Sequence, residues 1–341
     1  MQCLDHIDMD CNDKRVIEKL YWQQTATVRF GDEYSEFFPI KRGVRQGCVL
    51  SPKLFNLYTE KIFNESDELP GCVVGGENLN NLRYADDTAL LAESESALQD
   101  IVDVVRQNSE EKGLSMNVKK TKTMVVCRDE TPDVRIVING QVLEQVKKFK
   151  YLGQWITDDG RCECEIKNRI EIARSTFIKM RDVLISRKLH LEIRKRLVRC
   201  YVLSTFLYAS ESWTLDRQIE DKINAFEMWI FRRMFRISHL DRKTNVEVLE
   251  MAKAKQTLLR TIQERKLQYF GHLIRGKGKQ KLLMEGKIEG TRRKGKQRRT
   301  WTSDVTGWCG SSYTKCVRMA ENRKGWSSMT ADLLIRRWHP Q

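Results

Sequence analysis

The sequence lacks any long apolar run and any targeting segment at its start. No stretch of its 341 residues approaches the roughly 18 apolar residues of a membrane helix, and residues 201–209, among the longest, contain Ser204 and Thr205. The opening residues, MQCLDHID, have no basic segment followed by an apolar one. We therefore expect a protein that is neither secreted nor inserted in a membrane, located in nucleus and cytoplasm. Its ten cysteines are then expected to be thiols.

Acidic residues are too few to balance the basic ones. The 61 Lys and Arg against 46 Asp and Glu give a net charge of +15 at pH 7. An excess of this size indicates a polyanionic partner, and nucleic acid is the first candidate. The eight Trp and twelve Phe favour a globular chain over a disordered one. The length is enough for roughly two to three domains.

Much of the positive charge lies in residues 275–299, which we call the basic strap. It contains eleven Lys or Arg, two Glu and five Gly. The glycine spacing predicts a mobile, solvated segment that can follow a phosphate backbone. A solvated linker and a nuclear import signal are the alternatives. The candidate backbone contacts are Arg292, Arg293, Lys294, Lys296, Arg298 and Arg299.

Strands and helices alternate over positions 1–160 of the sequence. Strands are predicted at 26–30, 37–40, 72–74, 79–84, 123–127 and 134–138, and helices at 51–62 and about 96–112. Gly31-Asp32 and Asn139-Gly140 predict hairpin turns. Ser51-Pro52 predicts an N-cap and a first-turn proline, and Gly113 predicts a helix end.

After residue 160 the pattern changes to long amphipathic helices. Apolar residues spaced by three and four predict a helix at 166–184 with one buried stripe: Ile166, Ile170, Ala173, Phe177, Met180 and Leu184. Similar patterns predict helices at 191–210, 216–235 and 255–270. The expected fold class is α+β, divided into regions 1–160, 161–274 and 275–341.

Two adjacent carboxylates, Asp86 and Asp87, lie between two apolar segments. Like charges this close repel each other unless a cation lies beside them. Their oxygens suit Mg²⁺, which activates the attacking oxygen and stabilises the leaving oxygen in phosphoryl transfer. Taken alone, the pair is a weak signal, because Asp-Asp turns are common and a solvated turn is the simpler interpretation.

The residues around this pair resemble a known family. Tyr84-Ala85-Asp86-Asp87 resembles the Tyr-(Ala or Met)-Asp-Asp signature of reverse transcriptases. In family order, residues 46–52 (QGCVLSP), 113–122 (GLSMNVKKTK) and 151–153 (YLG) resemble three further elements. Residues 211–215 (ESWTL), 269–273 (YFGHL) and 286–290 (GKIEG) resemble the tail of non-LTR retrotransposon (LINE) polymerases, especially the RTE-like group. The resemblance covers the chain from about residue 9 to about residue 323.

The resemblance implies an RNA-directed DNA polymerase that adds dNTPs to a DNA 3′-OH by two-metal phosphoryl transfer. Its partners would be an RNA template, a DNA primer or target and dNTPs, and its cofactor Mg²⁺. Asp86 and Asp87 would be catalytic metal ligands, and Lys120 or Lys122 would protonate the departing pyrophosphate. The implied nucleotide, template and primer contacts are Arg45, Gln46, Gly47, Tyr84, Tyr151, Leu152 and Gly153.

The resemblance also implies a partial palm of antiparallel sheet and helices, an all-α thumb and a basic C-terminal region. Reverse transcriptases carry another metal-binding aspartate on an earlier palm strand, several tens of residues before the hairpin that begins here at Ala26. The segment before Ala26 is too short for that strand, and its aspartates fall in a helix and its lead-in: Asp5, Asp8, Asp10 and Asp13. We therefore expect a palm remnant without fingers, inactive as an isolated chain. A non-catalytic nucleic-acid-binding remnant is the alternative.

Two groups near the C-terminus have competing interpretations. Cys309 and Cys316, with His339, lack the spacing of a standard zinc motif, and metal binding there stays open. Three tryptophans beside the basic strap either stack on bases of single-stranded RNA or form a small core: Trp301, Trp308 and Trp326.

Overall fold

The computed structural model describes residues 9–127, 131–255, 257–286 and 298–338, the last five without their side chains. The chain divides into two units. Unit 1 comprises Met1–Val73, Glu77–Thr123 and Asp133–Gln145, and unit 2 comprises Val74–Gly76, Met124–Pro132 and Val146–Gln341. Within the described residues, no helix combines the length and the apolar composition needed to cross a membrane.

Helices and short strands alternate up to residue 157. The helices are α1 (Cys11–Tyr21), α2 (Ser51–Phe63) and α3 (Glu95–Glu111). The strands are β1 (Thr25–Ala26), β2 (Arg29–Phe30), β3 (Glu33–Tyr34), β4 (Phe38–Pro39), β5 (Cys72–Val74), β6 (Glu77–Leu79), β7 (Asn81–Tyr84), β8 (Asp87–Leu90), β9 (Lys122–Thr123), β10 (Val137–Ile138), β11 (Gln141–Val142), β12 (Glu144–Gln145), β13 (Lys148–Tyr151) and β14 (Gln154–Thr157).

In the described part of the chain, these strands form two-stranded pairs. The pairs are β1–β4, β2–β3, β5–β6, β7–β8, β9–β12, β10–β11 and β13–β14. The pair β9–β12 is parallel, whereas β7–β8 and β13–β14 are antiparallel hairpins. Mixed helices and small sheets agree with the expected α+β class; the palm and thumb assignment stays a prediction.

The predicted hairpin turns are confirmed. Gly31 (φ +63°) lies between β2 and β3, and Asn139 and Gly140 (φ +50° and +75°) join β10 to β11. Two consecutive residues with positive φ are typical of the type I′ turn, whose twist suits a hairpin. The predicted strands at 123–127 and 134–138 are shorter, because β9 ends at Thr123 and β10 begins at Val137.

The predicted N-cap of α2 is wrong by one position. Leu50 is the N-cap, and Ser51 lies inside the helix with Pro52 in the first turn. The Ser51 hydroxyl donates to the Arg45 carbonyl at 2.5 Å. Since this hydroxyl holds the loop before the helix, it does not cap the helix.

Helix α3 separates two small hydrophobic cores in unit 1. One contains Ile62, Phe63, Ile101 and Val105, and the other contains Val102, Ile136, Ile138 and Leu143. The helix begins with the Ser94 side chain accepting from the Ala97 N–H, and Gly113 (φ +71°) follows its end. Both cores therefore depend on this one helix.

Unit 2 is mainly helical after the hairpin β13–β14. Its helices are α4 (Glu163–Lys179), α5 (Arg181–Leu184), α6 (Leu191–Leu197), α7 (Ser204–Phe206), α8 (Arg217–Phe235), α9 (Asn245–Ala252), α10 (Leu258–Arg275), α11 (Lys279–Glu285), α12 (Trp301–Cys309), α13 (Tyr313–Glu321) and α14 (Arg323–Trp338). The predicted helix at 166–184 breaks at Met180 into α4 and α5. A π-helix, Val198–Leu203, interrupts the one predicted at 191–210.

One continuous core runs through unit 2. It begins with the predicted stripe on α4 and extends through α8 and α10 to α12, α13 and α14. Phe270 on α10 contacts three aromatic rings, those of Trp301, Tyr313 and Trp326, at centroid distances of 6.3, 6.2 and 5.4 Å. The interpretation of the three C-terminal tryptophans as core residues is therefore confirmed for Trp308 and Trp326, which are 8% and 3% exposed.

A buried ion pair joins α10 to α12. Lys266 and Asp304 have fully buried side chains and contact each other directly. The Lys266 ammonium also donates to the Trp213 carbonyl at 2.6 Å, and Asp304 accepts from the Leu215 N–H at 2.9 Å and from Arg299 at 2.5 Å. Burial lowers the pKa of Lys266 to about 8, and Asp304 opposes that shift.

Candidate active site

The hairpin β7–β8 carries the two predicted catalytic carboxylates at its tip. Tyr84 pairs with Asp87, so Ala85 and Asp86 form the two-residue turn. Ala85 has φ +54°, a conformation that a hairpin turn of this length demands. Asp86, Asp87 and Tyr84 are all exposed, and Tyr84 keeps 66% of its surface accessible. The turn therefore offers two carboxylates and one aromatic ring to a ligand.

Neighbouring side chains hold this hairpin in place. Arg83 forms an ion pair with Glu60 of α2 at 3.1 Å, and its guanidinium lies 4.7 Å from the Phe63 ring centroid. At the base of the hairpin, the buried Asn80 donates to the Leu69 carbonyl at 3.0 Å. These contacts attach both ends of β7 to the region around α2.

The donor set at the tip fits one Mg²⁺. This ion is usually held by one or two carboxylates, with water and substrate phosphates completing its shell. Among the described residues, no group of three or more His, Cys, Asp or Glu surrounds a metal position. Asp10 caps α1, accepting from the Asn12 N–H at 2.7 Å, and Asp13 lies in its first turn. Asp5 and Asp8 lie outside the described residues.

The loop before α2 contains the predicted template and nucleotide residues. Gly47 has φ +82°, and a Cβ there would meet nothing within 4 Å. Glycine is therefore favoured by the backbone conformation itself. Gln46 is exposed. Arg45 donates to Gln24 at 3.0 Å and to the Leu20 carbonyl at 2.8 Å, so this guanidinium also fixes the loop; its contact with template stays a prediction.

Cys48, in the same loop, is a polar group that was not predicted as a site residue. The Tyr21 hydroxyl donates to its sulfur at 3.3 Å. This hydrogen bond, together with backbone N–H groups of Leu50 and Ser51, lowers the pKa of the Cys48 thiol to about 7. The residues around Cys48 carry no signal of this, because Tyr21 lies on α1, far from the loop in the sequence.

The structure separates the two candidate lysines. Lys122 on β9 forms an ion pair with Glu144 on β12 at 2.6 Å, where the two strands run parallel in register. Lys120 lies in the preceding turn, where its N–H donates to the Asn117 carbonyl at 3.0 Å. Its side chain is exposed and has no ion pair within the part of the chain that the structure describes. Lys120 is therefore the more available cation.

The Tyr151-Leu152-Gly153 element forms the turn of hairpin β13–β14 in unit 2. Leu152 and Gly153 have φ +47° and +78°, and Tyr151 pairs with Gln154. The Tyr208 hydroxyl donates to the Leu152 carbonyl at 2.9 Å, and Arg169 donates to the Gly153 carbonyl. Both carbonyls at the turn are thus held by side chains, one from α4 and one from the turn that follows α7.

Glu165 completes this support, and we call Glu165, Arg169 and Tyr208 the hairpin clamp. Glu165 accepts from the Trp155 N–H at 2.8 Å and pairs with Arg169 at 2.5 Å. The Arg169 guanidinium lies 4.5 Å from the Tyr208 ring centroid. The clamp was not predicted from the sequence, although a Glu and an Arg at helical i, i+4 spacing beside the apolar stripe of α4 were a usable signal.

The described part of the basic strap, residues 275–286 and 298–299, is ordered, which differs from the predicted mobile segment. Helix α11 occupies residues 279–285, and the Tyr313 hydroxyl donates to the Met284 carbonyl at 3.1 Å. Arg298 donates to the Asp159 carbonyl at 2.8 Å, and Arg299 contacts Asp304. Their roles as backbone contacts stay predictions. Four other predicted backbone contacts lie outside the described residues: Arg292, Arg293, Lys294 and Lys296.

The cysteines near the C-terminus gain no further metal ligand from the described residues. Cys316 is buried, and burial raises the pKa of Cys309 to about 12. A thiol with a raised pKa is a poor metal ligand, since metals bind the thiolate. His339, the third predicted member, lies outside the described residues.

The predicted site residues divide between the units. The carboxylate tip, the Gln46-Gly47 loop and the two lysines belong to unit 1. The Tyr151-Leu152-Gly153 turn and the described arginines of the basic strap belong to unit 2. Unit 1 alone therefore contains the groups expected to act on nucleotide and metal.

Comparison with known proteins identifies one family and several relatives. Residues 2–156 match the family described as reverse transcriptase (RNA-dependent DNA polymerase). A transposon-derived protein of Caenorhabditis elegans is 28% identical over 215 residues, which cover 60% of this chain and 75% of that protein.

Two further relatives are named as retrotransposon polymerases. The Pol polyprotein of the type-1 retrotransposable element R2 of Nasonia vitripennis is 31% identical over 145 residues, 40% of this chain and 14% of the polyprotein. The RNA-directed DNA polymerase from the mobile element jockey of Drosophila funebris is 25% identical over 203 residues, 57% of this chain and 22% of that protein. The chain thus spans less than a quarter of these two relatives.

Proposed function

Since this chain belongs to the LINE-type reverse transcriptases, we propose that it contributes the metal-binding carboxylates of an RNA-directed DNA polymerase. The reaction is the addition of dNTPs to a DNA 3′-OH, copied from an RNA template. The observation that carries this proposal is the tip of hairpin β7–β8, where Asp86 and Asp87 are adjacent and exposed inside the matched segment. The proposed location is the nucleus and cytoplasm.

Each exposed group near the tip has a proposed task. Asp86 and Asp87 hold Mg²⁺, which supplies activation of the attacking hydroxyl and neutralisation of phosphate charge. The exposed Tyr84 ring lies beside the carboxylates and packs on the terminal nucleotide of the primer. Lys120 donates a proton to the departing pyrophosphate, because Lys122 is engaged by Glu144. Gln46 and Gly47 present backbone to the template base and the incoming nucleotide.

In unit 2, the proposed primer contact is the turn at Tyr151, Leu152 and Gly153. The hairpin clamp supports this proposal, since a turn held at both carbonyls keeps one geometry. We assign residues 1–160 to the palm, 161–274 to the thumb and 275–341 to a basic C-terminal region. A thumb holds a heteroduplex by its phosphates, so binding is expected to weaken steeply with salt.

We expect the isolated chain to bind nucleic acid and metal but to polymerise little. Two-metal catalysis uses a clamp with ions about 4 Å apart, and Asp86 and Asp87 gain no third acidic or metal-ligating neighbour from the described residues. The second candidate function is a non-catalytic nucleic-acid-binding protein. The lack of a third metal-ligating neighbour among the described residues favours it as well.

The metal site is tested by Fe²⁺, which replaces Mg²⁺ and cleaves the backbone beside its site when peroxide and ascorbate are added. We expect cleavage around residues 84–88 that disappears in the Asp86→Asn/Asp87→Asn variant. Asp32→Asn/Glu33→Gln is the matched control, because it removes two adjacent exposed acids beside another hairpin turn of unit 1. Equal cleavage in both variants would overturn the metal site.

A primer-extension assay separates the two candidate functions. The full chain is given an RNA template, a DNA primer, dNTPs and Mg²⁺. Extension that is lost in Asp86→Asn identifies a polymerase, whereas salt-sensitive binding without extension identifies the non-catalytic protein. Extension that survives Asp86→Asn would contradict the assignment of the carboxylates.

A further inference from the structure

A cavity of about 590 Å³ lies in unit 2, and none of the roles proposed above uses it. It opens between the last turns of α8 and the segment that leads into α9, with Trp229, Arg232, Arg233, His239 and Asn245 among its lining residues. Its volume falls in the range of small-ligand sites, roughly 300 to 1,000 Å³. It is therefore large enough for one nucleotide.

Trp229 forms an aromatic wall of this cavity. The ring is partly exposed and is fixed by two neighbours: Phe226 stacks on it at 6.2 Å, and Phe177 meets it edge-on at 5.3 Å. The guanidinium groups of Arg174 and Arg233 lie 5.3 and 5.7 Å from its ring centroid. Arg174 is paired with Glu171 at 2.8 Å, whereas Arg233 lines the cavity. The wall thus combines a rigid π-surface with the guanidinium of Arg233.

The surroundings of the cavity are strongly basic. Residues 229–245 contain five Lys or Arg and a single acid, Asp241. That acid accepts from the Ser238 N–H at 2.6 Å, within the turn. Arg232 donates to the Lys243 carbonyl at 2.8 Å and to Asn245 at 3.0 Å, which fixes the opposite wall. Arg233 and His239 line the cavity and are exposed, and the charge is complementary to phosphate.

We propose that this cavity binds one nucleotide of a single-stranded nucleic acid, with its base against Trp229 and its phosphate held by Arg233 and His239. Aromatic rings beside basic groups are the common device for binding unpaired bases. A base inside a duplex is already stacked and paired, so it cannot enter a cavity lined by one ring. This inference rests on the proposed function and adds a site, separate from the carboxylate tip, for an unpaired part of the nucleic acid.

The test is binding of the full chain to fluorescein-labelled oligo(U) and oligo(dT), each with a duplex of equal length, across a salt series. Arg233→Gln is expected to weaken single-strand binding about threefold to tenfold and to reduce the slope of log affinity against log salt by about 0.7. Arg187→Gln is the matched control, because Arg187 is an exposed arginine of the same unit away from the cavity. It should leave both quantities nearly unchanged.

Photo-crosslinking with a 5-iodouridine oligonucleotide gives a direct readout. We expect a crosslink at Trp229, lost in Trp229→Leu and kept in Arg187→Gln; circular dichroism confirms that the variants are folded. Equal losses in Arg233→Gln and Arg187→Gln, or a crosslink elsewhere in the chain without one at Trp229, would each overturn the proposal. The ratio of oligo(U) to oligo(dT) affinity then identifies RNA or DNA as the source of the nucleotide.

Failure of this inference is distinguishable from failure of the proposed function. The Asp86→Asn/Asp87→Asn variant should abolish metal-dependent cleavage near the tip while leaving single-strand binding and the Trp229 crosslink intact. If wild type shows no Trp229 crosslink but keeps metal-dependent cleavage near the tip, only the proposal of nucleotide binding in the cavity is rejected.

Discussion

The two units of the chain differ in how they bury their apolar side chains. Unit 1 has two small cores that share α3, and α1 contains no buried residue. Its exposed apolar side chains include Phe30 and Val49, at 87% and 88%. Unit 2 has one core that continues from α4 to α14, and large aromatic side chains within it are almost fully buried, among them Phe177, Phe206, Trp213 and Phe270.

The predicted chemistry and the most extensive packing thus lie in different parts of the chain. The predicted catalytic groups lie in unit 1, on turns that bury little. Elements with few buried apolar contacts open locally at low free-energy cost. Unit 2 presents its predicted primer turn through side chains that are themselves buried, Glu165 and Arg169. The following substitutions test whether the contacts within unit 2 stabilise it as strongly as this contrast predicts.

The largest effect is expected from Lys266→Ala. This variant leaves the buried Asp304 without its main cation and opens a gap between α10 and α12. Removing one partner of a buried pair costs about 3–5 kcal/mol. Urea denaturation followed by tryptophan fluorescence measures it, since seven of the eight tryptophans belong to unit 2. Lys188→Ala, at an exposed lysine, is the control. A loss of unfolding free energy below about 1 kcal/mol in Lys266→Ala, equal to that in the control, would mean that the pair does not join the helices.

Gly271→Ala tests the packing of α10 against α14. A Cβ at Gly271 would lie 2.6 Å from Cδ1 and Nε1 of Trp326, so the helices must separate, at a cost of about 1–3 kcal/mol. Gly307→Ala in α12 is the matched control, because a Cβ there meets nothing within 4 Å. That change should stabilise the protein by up to about 1 kcal/mol. The two variants should therefore shift the melting temperature in opposite directions: Gly271→Ala should lower it and Gly307→Ala should raise it. A shift of the same sign in both variants would refute the packing argument.

A smaller effect is expected from Tyr208→Phe in the hairpin clamp. The change removes the hydrogen bond to the Leu152 carbonyl and keeps the ring under Arg169. Its cost is about 0.5–1.5 kcal/mol, localised in β13 and β14. Hydrogen exchange of residues 148–157 should become faster, while exchange in α10 stays unchanged. Tyr201→Phe, on an exposed tyrosine of the same unit, should change neither.

The smallest effect concerns acid stability through Glu163. Hydrogen bonds from Lys222 and Lys167 lower the pKa of this carboxyl to about 2 from its ordinary value near 4.5. A depressed pKa in the folded state gives stability that is present above about pH 4.5 and is lost as the pH falls towards 2. Because these side chains are partly exposed, the contribution is below about 1 kcal/mol. Glu163→Gln should therefore lower stability at pH 7 slightly and match wild type at pH 2; a loss that persists at pH 2 would contradict this.

Local patterns predicted much of the secondary structure. Asn139-Gly140 identified a hairpin because few residue pairs suit two consecutive positive φ values, and Asp216 marked the start of α8, where it accepts from the Ile219 N–H at 2.9 Å. The Tyr84-Ala85-Asp86-Asp87 segment predicted carboxylates on a turn between strands. In each case, the residues that predict the feature lie within a few positions of the feature itself.

Distant pairings were beyond the reach of the sequence. Lys266 and Asp304 lie on separate helices, α10 and α12, and nothing local indicates that a lysine on an amphipathic helix is fully buried. The sequence alone does not distinguish Lys120 from Lys122, because the ion pair of Lys122 is made with Glu144 on another strand. Ser51 looked like an N-cap, but the loop around Arg45 uses its hydroxyl. Long-range partners decided the two lysine cases, and a carbonyl six residues away decided the third.

The indole of Trp326, which donates to the Leu267 carbonyl at 2.9 Å, has a consequence for synthesis on the ribosome. The core around Trp213 stays incomplete until Trp326 on α14 has emerged, after the whole intervening segment has been made. At roughly 5–20 residues per second, the helix that follows Trp213 waits about 6 to 23 seconds for this last partner. Unit 1 has all its segments available earlier, so we expect the part that carries the carboxylates to fold first during translation.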